Sequence, residues 1–174
     1  MELTPKQQIV ELTAKSKNIL IVTHVNPDGD ALGSTLALAN VLKKLDKNVV
    51  AICSDIYPKV FDFLPNITEI KRDTDAKGDF IISIDTSHGK IEKLGYKNLP
   101  EQKKLNIVLT PDKGVVFTKD DITFTPAGQK FDLIFVLDAP DEERLGDFYI
   151  NNPDLFYEVP IVNIDHHPSN SYYG

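Results

Sequence analysis

The chain has 174 residues with 41% hydrophobic and 26% charged side chains, a balance that predicts a folded globular protein and excludes a disordered or fibrous one. No segment approaches the roughly 20 apolar residues of a membrane-spanning helix, and the N-terminus lacks the apolar core of a secretory signal. Cys53 is the only cysteine, which excludes a disulfide framework. The net charge is −7 without a basic stripe, which disfavours binding to a long polyanion. We therefore expect a cytoplasmic protein that contacts no membrane.

The first elements along the chain form a predicted strand–helix–strand unit. Thr4 followed by Pro5 has the form of an N-cap and a first helical residue, which predicts a helix that ends near residue 15. The run NILIVT (18–23) is short, apolar and rich in β-branched residues, as in a strand buried on both faces. Apolar residues at steps of three and four predict a helix over 31–45, in which Gly33 would allow close approach to the sheet. A second strand at NVVAICSD (48–55) would then lie parallel to the first, with the helix as a right-handed crossover.

The middle of the chain has a different pattern. YPKVFDFLP (57–65) predicts a short helix or turn, and DFIISIDTS (79–87) predicts a third buried strand. Apolar and polar residues then alternate around PDKG (111–114), which indicates an antiparallel hairpin. We assign residues about 88–128 to an insertion on the rim of the main sheet.

The buried-strand pattern returns twice in the last third of the chain, within FDLIFVLDAPD (131–141) and VPIVNIDHHPSN (159–170). The predicted fold class is therefore α/β, with a mostly parallel sheet flanked by helices and an antiparallel hairpin insertion. We expect the whole chain, residues 1–174, to form one lobe that carries this insertion.

Acidic and imidazole side chains follow the ends of these predicted strands. His24 follows the first strand, Asp138 follows the strand in 131–141, and the last strand leads into a DHH triplet. Because the carboxyl ends of parallel strands line one edge of an open sheet, groups far apart in sequence would meet there. The candidate ligands at this edge are His24, Asp28, Asp30, Asp138 and His166.

Clustered carboxylates repel one another, so such a group needs a compensating positive charge. Few basic residues lie close in sequence, whereas divalent cations would supply the charge. Mixed carboxylate and imidazole ligands suit Mn²⁺, Fe²⁺, Co²⁺ or Zn²⁺ better than Mg²⁺ or Ca²⁺. The number of candidate ligands favours two ions that share a carboxylate, an arrangement that serves phosphoryl transfer.

Each feature by itself has a simpler explanation. Asp28 and Asp30, separated by Gly29, are typical of a turn and a helix cap, and Asp30 lies near the positive end of a helix dipole. His24 could be an ordinary histidine at a strand end, and Asp138 could cap a helix that begins in APDEERLG. The metal hypothesis depends on the coincidence of all these features at strand ends of one sheet.

Three segments carry a family resemblance: THVNPDGDALGS (23–34), VLDAPDEERLG (136–146) and VNIDHHPSN (162–170). In this order they resemble the first three motifs of the DHH phosphoesterases. That superfamily includes single-strand exonucleases, nanoRNases and other oligoribonucleases, phosphoadenosine phosphate phosphatases, cyclic-dinucleotide phosphodiesterases and family II pyrophosphatases. The resemblance covers the chain apart from the insertion.

The resemblance implies a role for each matching residue. His24 and Asp28 would hold one Mn²⁺, Asp30 and His166 would hold the other, and Asp138 would bridge the two ions. Mg²⁺ or Co²⁺ could take the place of Mn²⁺.

Two further catalytic residues are implied within the third motif. Asp165 would orient His166 as a hydrogen-bond partner, and His167 would lie beside the scissile phosphate as a donor to its oxygens or to the leaving group. Asp85 in ISIDTS is a second candidate for the bridging carboxylate, because it also ends an apolar run and is followed by Thr and Ser. We favour Asp138, whose spacing of 27 residues to Asp165 is near that of the family.

The predicted function is that of the N-terminal catalytic lobe of a manganese-dependent phosphodiesterase or exonuclease that hydrolyses short oligonucleotides or small nucleotide phosphates. Family II-like pyrophosphatase activity and non-catalytic binding of a nucleotide or protein partner are the alternatives. The family has a fourth acidic motif and a substrate-binding C-terminal lobe beyond the DHH triplet, so we expect that lobe to be missing from this chain. A homodimer is also compatible with the sequence.

Overall fold

A computed structural model describes residues 3–125 and 130–174. The chain divides into two compact units: Met1–Gly78 with Gln129–Gly174, and Asp79–Gly128. Among the described residues, no helix has the length and apolar character needed to cross a membrane.

The elements of the first unit alternate between strands and helices, as an α/β fold requires. In chain order the helices and strands of the described residues are α1 (Pro5–Lys15), β1 (Asn18–Thr23), α2 (Gly29–Lys44), β2 (Asn48–Ile52), β3 (Ile70–Lys71), β4 (Ile81–Ile84), β5 (Ile91–Leu99), β6 (Lys104–Pro111), β7 (Ile122–Thr125), β8 (Leu133–Leu137), α3 (Asp147–Asn151), α4 (Pro153–Glu158) and β9 (Ile161–Ile164).

The first unit is built on a five-stranded sheet in the order β3-β2-β1-β8-β9, in which every neighbouring pair is parallel. The central strands β1 and β8 are buried along almost their whole length, as their continuous apolar runs predict. Leu32 and Leu36 of α2 belong to the core on one face of the sheet, and Phe148 and Leu155 belong to the core on the other. The predicted α/β class with a mostly parallel sheet is therefore confirmed.

The helix starts follow local capping chemistry. Thr4 and Gln7 form a reciprocal capping box at α1, with Pro5 as the first helical residue, so the helix predicted here is confirmed. The expectation that Gly33 allows α2 to approach the sheet is wrong, because a Cβ atom added there would meet no atom within 4 Å. Gly29 is the closer contact, since its added Cβ would lie 3.3 Å from Cε1 of Phe61.

Two predicted features of the second unit are wrong. The apolar run at 79–87 is not a buried strand of the main sheet, because β4 pairs antiparallel with β7 and its residues are exposed or half-buried. The hairpin turn does not lie at PDKG: β6 pairs with the preceding β5, and the chain reverses through Pro100–Gln102 and Lys103. Lys103 adopts a left-handed conformation with φ 51°, which closes this turn without glycine. The last residues of the predicted insertion, 126–128, lie outside the described residues.

Three short elements of the first unit have no clear signal in the sequence. Strand β3, which pairs with β2, has only two residues. The other two elements are the short helices α3 and α4, which follow β8. Phe148 and Phe156 from these helices pack edge to face, with ring centroids 6.1 Å apart. Helices α3 and α4 cover the second face of the sheet. The sequence predicted flanking helices but did not assign any helix to this face.

Candidate functional site

The order of the strands places the site at the carboxyl edge of the first unit's sheet. From the central β1 the chain continues to β2 and β3 on one side, whereas β8 and β9 lie on the other. The crevice beyond β1 and β8 is therefore a topological switch point, which is where ligands bind in open α/β sheets. His24 follows β1, Asp138 follows β8, and Asp165 follows β9.

Asp28 is both the N-cap of α2 and a member of the acidic cluster. Its Oδ1 accepts hydrogen bonds from the backbone N–H groups of Asp30 at 2.9 Å and Ala31 at 3.0 Å. The hydrogen bond from Ala31 lowers the pKa of the Asp28 carboxyl and outweighs the opposing effect of burial. Capping occupies one carboxylate oxygen, and ligand atoms of Asp28, His24 and Asp138 still lie within 4.8 Å of one another.

The imidazole of His24 is oriented by its own chain. Nδ1 lies 2.7 Å from the carbonyl oxygen of Val25, so the tautomer that donates from Nδ1 leaves Nε2 as a lone-pair ligand. Nε2 lies 3.6 Å from Oδ2 of Asp138. A histidine that is a metal ligand needs this combination of one anchored nitrogen and one that faces other ligands.

Asp138 lies at the centre of the site. It is buried, its backbone is left-handed with φ 57°, and its N–H donates to the carbonyl of Ile164 at 3.0 Å. Burial raises the pKa of its carboxyl, and the neighbouring charges of Asp30 and Asp28 raise it further. Its Oδ1 is buried and accepts no hydrogen bond from the described residues. An orphaned buried carboxylate oxygen of this kind fits a bound cation.

The first histidine of the triplet, His166, lies between two carboxylates. Nε2 of His166 is 3.3 Å from Oδ1 of Asp138 and 3.6 Å from Oδ2 of Asp30. Asp138, His166 and His167 form a second group whose ligand atoms lie within 4.8 Å of one another. Asp138 thus belongs to both groups, and the mixture of carboxylate and imidazole donors fits a transition-metal ion.

Asp165 orients a different histidine from the one predicted. Its Oδ1 lies 2.7 Å from Nδ1 of His167, and its Oδ2 accepts from the backbone N–H of His167 at 3.1 Å. The chain turns back over two residues, so the ring of His167 reaches Asp165 while His166 reaches Asp30 and Asp138. The described hydrogen bonds of Asp165 therefore correct the expectation that it holds His166.

This contact changes the acidity of both partners. The hydrogen bond that Nδ1 of His167 donates to the carboxylate of Asp165 raises the pKa of the His167 imidazole above its ordinary value of 6.5. Burial opposes ionisation of Asp165, but the hydrogen bonds from His167 and Asn170 outweigh it and lower the pKa of this carboxyl. The pair therefore favours a protonated imidazole beside the carboxylate cluster.

Two asparagines of the site were not predicted. Nδ2 of Asn170 donates to Oδ2 of Asp165 and to Oδ1 of Asn163, both at 2.7 Å. Asn163 in turn donates from Nδ2 to the carbonyl of Ala139 at 3.0 Å. This chain of hydrogen bonds ties the Asp165–His167 pair to the turn after β8. The polar Asn163 in the middle of the apolar strand β9 is the sequence signal that could have revealed it.

Asp85, the alternative bridging carboxylate, belongs to the second unit. Its Oδ1 accepts from the backbone N–H of Ser87 at 2.8 Å, and hydrogen bonds from Ser87 lower the pKa of its carboxyl. Asp85 thus closes a local turn. Asp138 is the carboxylate that the two ligand groups share.

Residues 18–173 match the family described as the DHH family, N-terminal domain. The chain belongs to the DHH family. This is a family of phosphoesterases, so the chain is a DHH-type phosphoesterase domain.

Two similar proteins are much longer than this DHH chain. A bifunctional oligoribonuclease and PAP phosphatase, NrnA, from Thermus thermophilus is 43% identical over 58 residues, which are 33% of this chain and 17% of that protein. The crystal structure of an exopolyphosphatase-related protein from Bacteroides fragilis superposes with a TM-score of 0.55 and 20% identity, over 94% of this chain and 35% of that one. At that identity the second likeness shows the fold alone.

Proposed function

We propose that this chain is the N-terminal catalytic lobe of a manganese-dependent phosphodiesterase that hydrolyses short oligonucleotides or small nucleotide phosphates. The observation that carries the proposal is the carboxylate of Asp138, which is buried at the junction of two ligand groups with one oxygen that accepts no hydrogen bond from the described residues. A structural carboxylate would use its hydrogen-bonding capacity within the protein. An unsatisfied one supports a role in binding cations.

The residues present fit a pair of divalent ions. His24 and Asp28 would hold one ion, Asp30 and His166 would hold the other, and Asp138 would contact both. Mixed nitrogen and oxygen donors suit Mn²⁺, Fe²⁺, Co²⁺ or Zn²⁺. The resemblance to the DHH phosphoesterases favours Mn²⁺ among these ions, with Co²⁺ or Mg²⁺ as substitutes. When bound, such a pair supplies positive charge for the phosphoryl oxygens and lowers the pKa of water.

The chain's own side chains would donate the proton and hold the ligands in position. His167, held by Asp165, is placed to donate a hydrogen bond to a phosphate oxygen or a proton to the leaving oxygen. Asp165 favours the protonated form that such a donor needs, and Asn170 fixes the carboxylate of Asp165. Anchoring of His24 through Nδ1 and of Asp28 through α2 keeps these ligands in place without substrate.

The choice of a small substrate has two supports. The net charge of −7 opposes a long polyanion, which a short oligonucleotide or a nucleotide phosphate avoids. The similar stretch in the Thermus thermophilus protein belongs to a bifunctional oligoribonuclease and PAP phosphatase, whose name joins these two substrate classes.

The test is hydrolysis of a 5′-phosphorylated dinucleotide by the protein at its full encoded length, with Mn²⁺, Co²⁺ or Mg²⁺ after removal of metals by a chelator. We expect Mn²⁺-dependent release of mononucleotides, and loss of that activity in Asp28→Ala and His166→Ala. Asp85→Asn is the matched control and should remain active. Full activity of either alanine variant would reject the assigned ligands, and release of orthophosphate from pyrophosphate without cleavage of the dinucleotide would select the pyrophosphatase alternative.

A further inference from the structure

The described residues of the second unit form no buried core. None of the described residues from 79 to 125 is buried, although this segment contains four strands. A two-stranded hairpin is at best marginally stable alone, because it buries too little apolar surface to offset the entropy lost on ordering the chain. A surface that covers part of this unit would therefore stabilise it.

The β5–β6 hairpin shows which surface needs cover. Cross-strand pairs put Leu94 opposite Leu109 and Tyr96 opposite Ile107, so these side chains lie on one face of the hairpin. Leu105, opposite Asn98, extends the same face. Tyr96 is 77% exposed, Leu94 72% and Leu105 60%, which makes this a continuous exposed apolar surface. We name it the hairpin face: Leu94, Tyr96, Leu105, Ile107 and Leu109.

The other side of the same hairpin carries three lysines, with Val108 as an exposed apolar residue. Lys93, Lys97 and Lys104 alternate with the residues of the hairpin face, and they pair with Thr110, Asn106 and Leu99. The hairpin face itself carries no charged side chain. This pattern is typical of a ribbon that covers an apolar surface with one side and meets water with the other.

Charge distinguishes the second unit from the rest of the molecule. Residues 79–128 contain seven lysines and seven acidic residues, so this segment is neutral and the net charge of −7 resides in the remainder of the chain. Two copies would repel each other through the first unit, but they can meet through the second without net repulsion. An uncharged face also offers no cation to a nucleic acid phosphate.

We infer that the hairpin face packs against the hairpin face of a second copy of this chain in a symmetric dimer. The same residues on both sides make the contact self-complementary, as a two-fold interface requires, and the lysines of both copies remain in water. Each large side chain contributes on the order of 100 Å², so the two faces together reach the roughly 1,000 Å² of a specific interface. This inference is independent of the proposed catalytic function.

Two neighbouring residues of β6 provide a matched test. Ile107 on the hairpin face is 46% exposed, and Val108 on the opposite side is 50% exposed. The mass of the full chain is measured by light scattering after size-exclusion chromatography. We expect the mass of two chains for the unsubstituted protein and for Val108→Asp, and the mass of one chain for Ile107→Asp. A monomeric unsubstituted chain, a dimeric Ile107→Asp or dissociation by both substitutions would overturn the inference.

Cross-linking keeps the inference testable if Ile107→Asp fails to fold. The native Cys53 is buried, so a cysteine placed on the hairpin is the reactive one. Tyr96→Cys should form a covalent dimer with a short bis-maleimide, whereas Lys97→Cys on the basic side should stay monomeric. Equal cross-linking of the two variants, or none in Tyr96→Cys, would contradict the dimer and assign the cover of the hairpin face to another surface.

Discussion

The two units of this chain differ in how they treat apolar and charged residues. The first unit buries its central strands β1 and β8 along almost their whole length, and these strands lead into His24 and Asp138 of one site. The four strands of the second unit also contain apolar residues, yet none of its described residues is buried. A strand end becomes part of a site only where several buried strands end together, because a rigid framework holds the side chains in a common geometry.

Asp138 and Asp85 show the same contrast at the level of single residues. Both follow a strand and both are aspartates, but Asp138 is shared by two groups of ligands, whereas Asp85 binds the backbone of its own turn. The pKa of the first carboxyl is raised by burial, and that of the second is lowered by hydrogen bonds from Ser87. The surroundings of a residue, rather than its place after a strand, decide its role.

The largest expected difference is between two single variants, in which either Asp138 or Asp85 is replaced by asparagine. Asp138→Asn should lower kcat/KM for dinucleotide hydrolysis on the order of a thousandfold, since even one lost transition-state contact costs a hundredfold to a thousandfold. Asp85→Asn should change it little. Mn²⁺ titration calorimetry should show the same difference in affinity. Equal losses in both variants would contradict the separate roles.

The same Asp138→Asn substitution should have the opposite effect on stability without metal. A raised pKa in the folded state means that the contribution of Asp138 is most favourable below its ordinary pKa of 3.8 and is lost as the pH rises through the folded value. At neutral pH the metal-free variant should therefore resist urea better than the unsubstituted chain. Acidification should remove this advantage, and a less stable variant at neutral pH would contradict the assigned repulsion.

Leucines in the two units should respond differently to truncation. Leu133 in β8 is 0% exposed and Leu94 in β5 is 72% exposed. Leu133→Ala should lower the free energy of unfolding by about 2 to 5 kcal/mol, and Leu94→Ala by less than about 0.5 kcal/mol, when the chain is dilute and monomeric. Urea unfolding measures both values. A large loss at Leu94 under these conditions would show that the hairpin face is covered within one chain.

Two glycines test the local geometry of the first unit. Gly146 has φ 67°, and an added Cβ would lie 2.4 Å from Cγ1 of Val25, so Gly146→Ala should cost about 1 to 3 kcal/mol. Gly33 lies within α2 with no atom within 4 Å of an added Cβ, so Gly33→Ala should stabilise by about 0.5 to 1 kcal/mol. Thermal unfolding should separate the two variants, and equal melting temperatures would refute the strain at Gly146.

The smallest expected effect concerns the acidity of His167. In the metal-free chain its titration midpoint, followed by the ring-proton NMR signal, should lie above 6.5 because Asp165 favours the charged ring. Asp165→Asn should lower the midpoint, whereas Asp85→Asn should leave it unchanged. The stability contributed by this pair should be present below pH 6.5 and lost as the pH rises through the folded midpoint. An unchanged midpoint in Asp165→Asn would contradict the assigned pairing.

The central strands and the site edge could be predicted because their signals are local and strong. NILIVT and FDLIFVL contain the continuous apolar runs ILIV and LIFVL, which identify strands buried on both faces, and His24 and Asp138 follow these strands. The two residues of β3 are too few to give a pattern. The run at 79–87 resembles the buried strands in composition, and only its pairing with β7 shows that it belongs elsewhere.

Side-chain directions were the part of the site that the sequence left open. Asp165 is adjacent to His166, yet its hydrogen bonds go to His167, because a tight turn brings residues two positions apart into contact. The network through Asn163 and Asn170 depends on the same turn. Such contacts follow from backbone dihedral angles, which spacing alone does not specify.

The most direct test of the account is a crystal soaked in Mn²⁺, with anomalous diffraction recorded at the manganese edge. The shared position of Asp138 predicts two peaks about 3.5 to 4 Å apart, one beside His24 and Asp28 and one beside Asp30 and His166. No peak at Asp138, or manganese bound only at other carboxylates, would contradict the central claim.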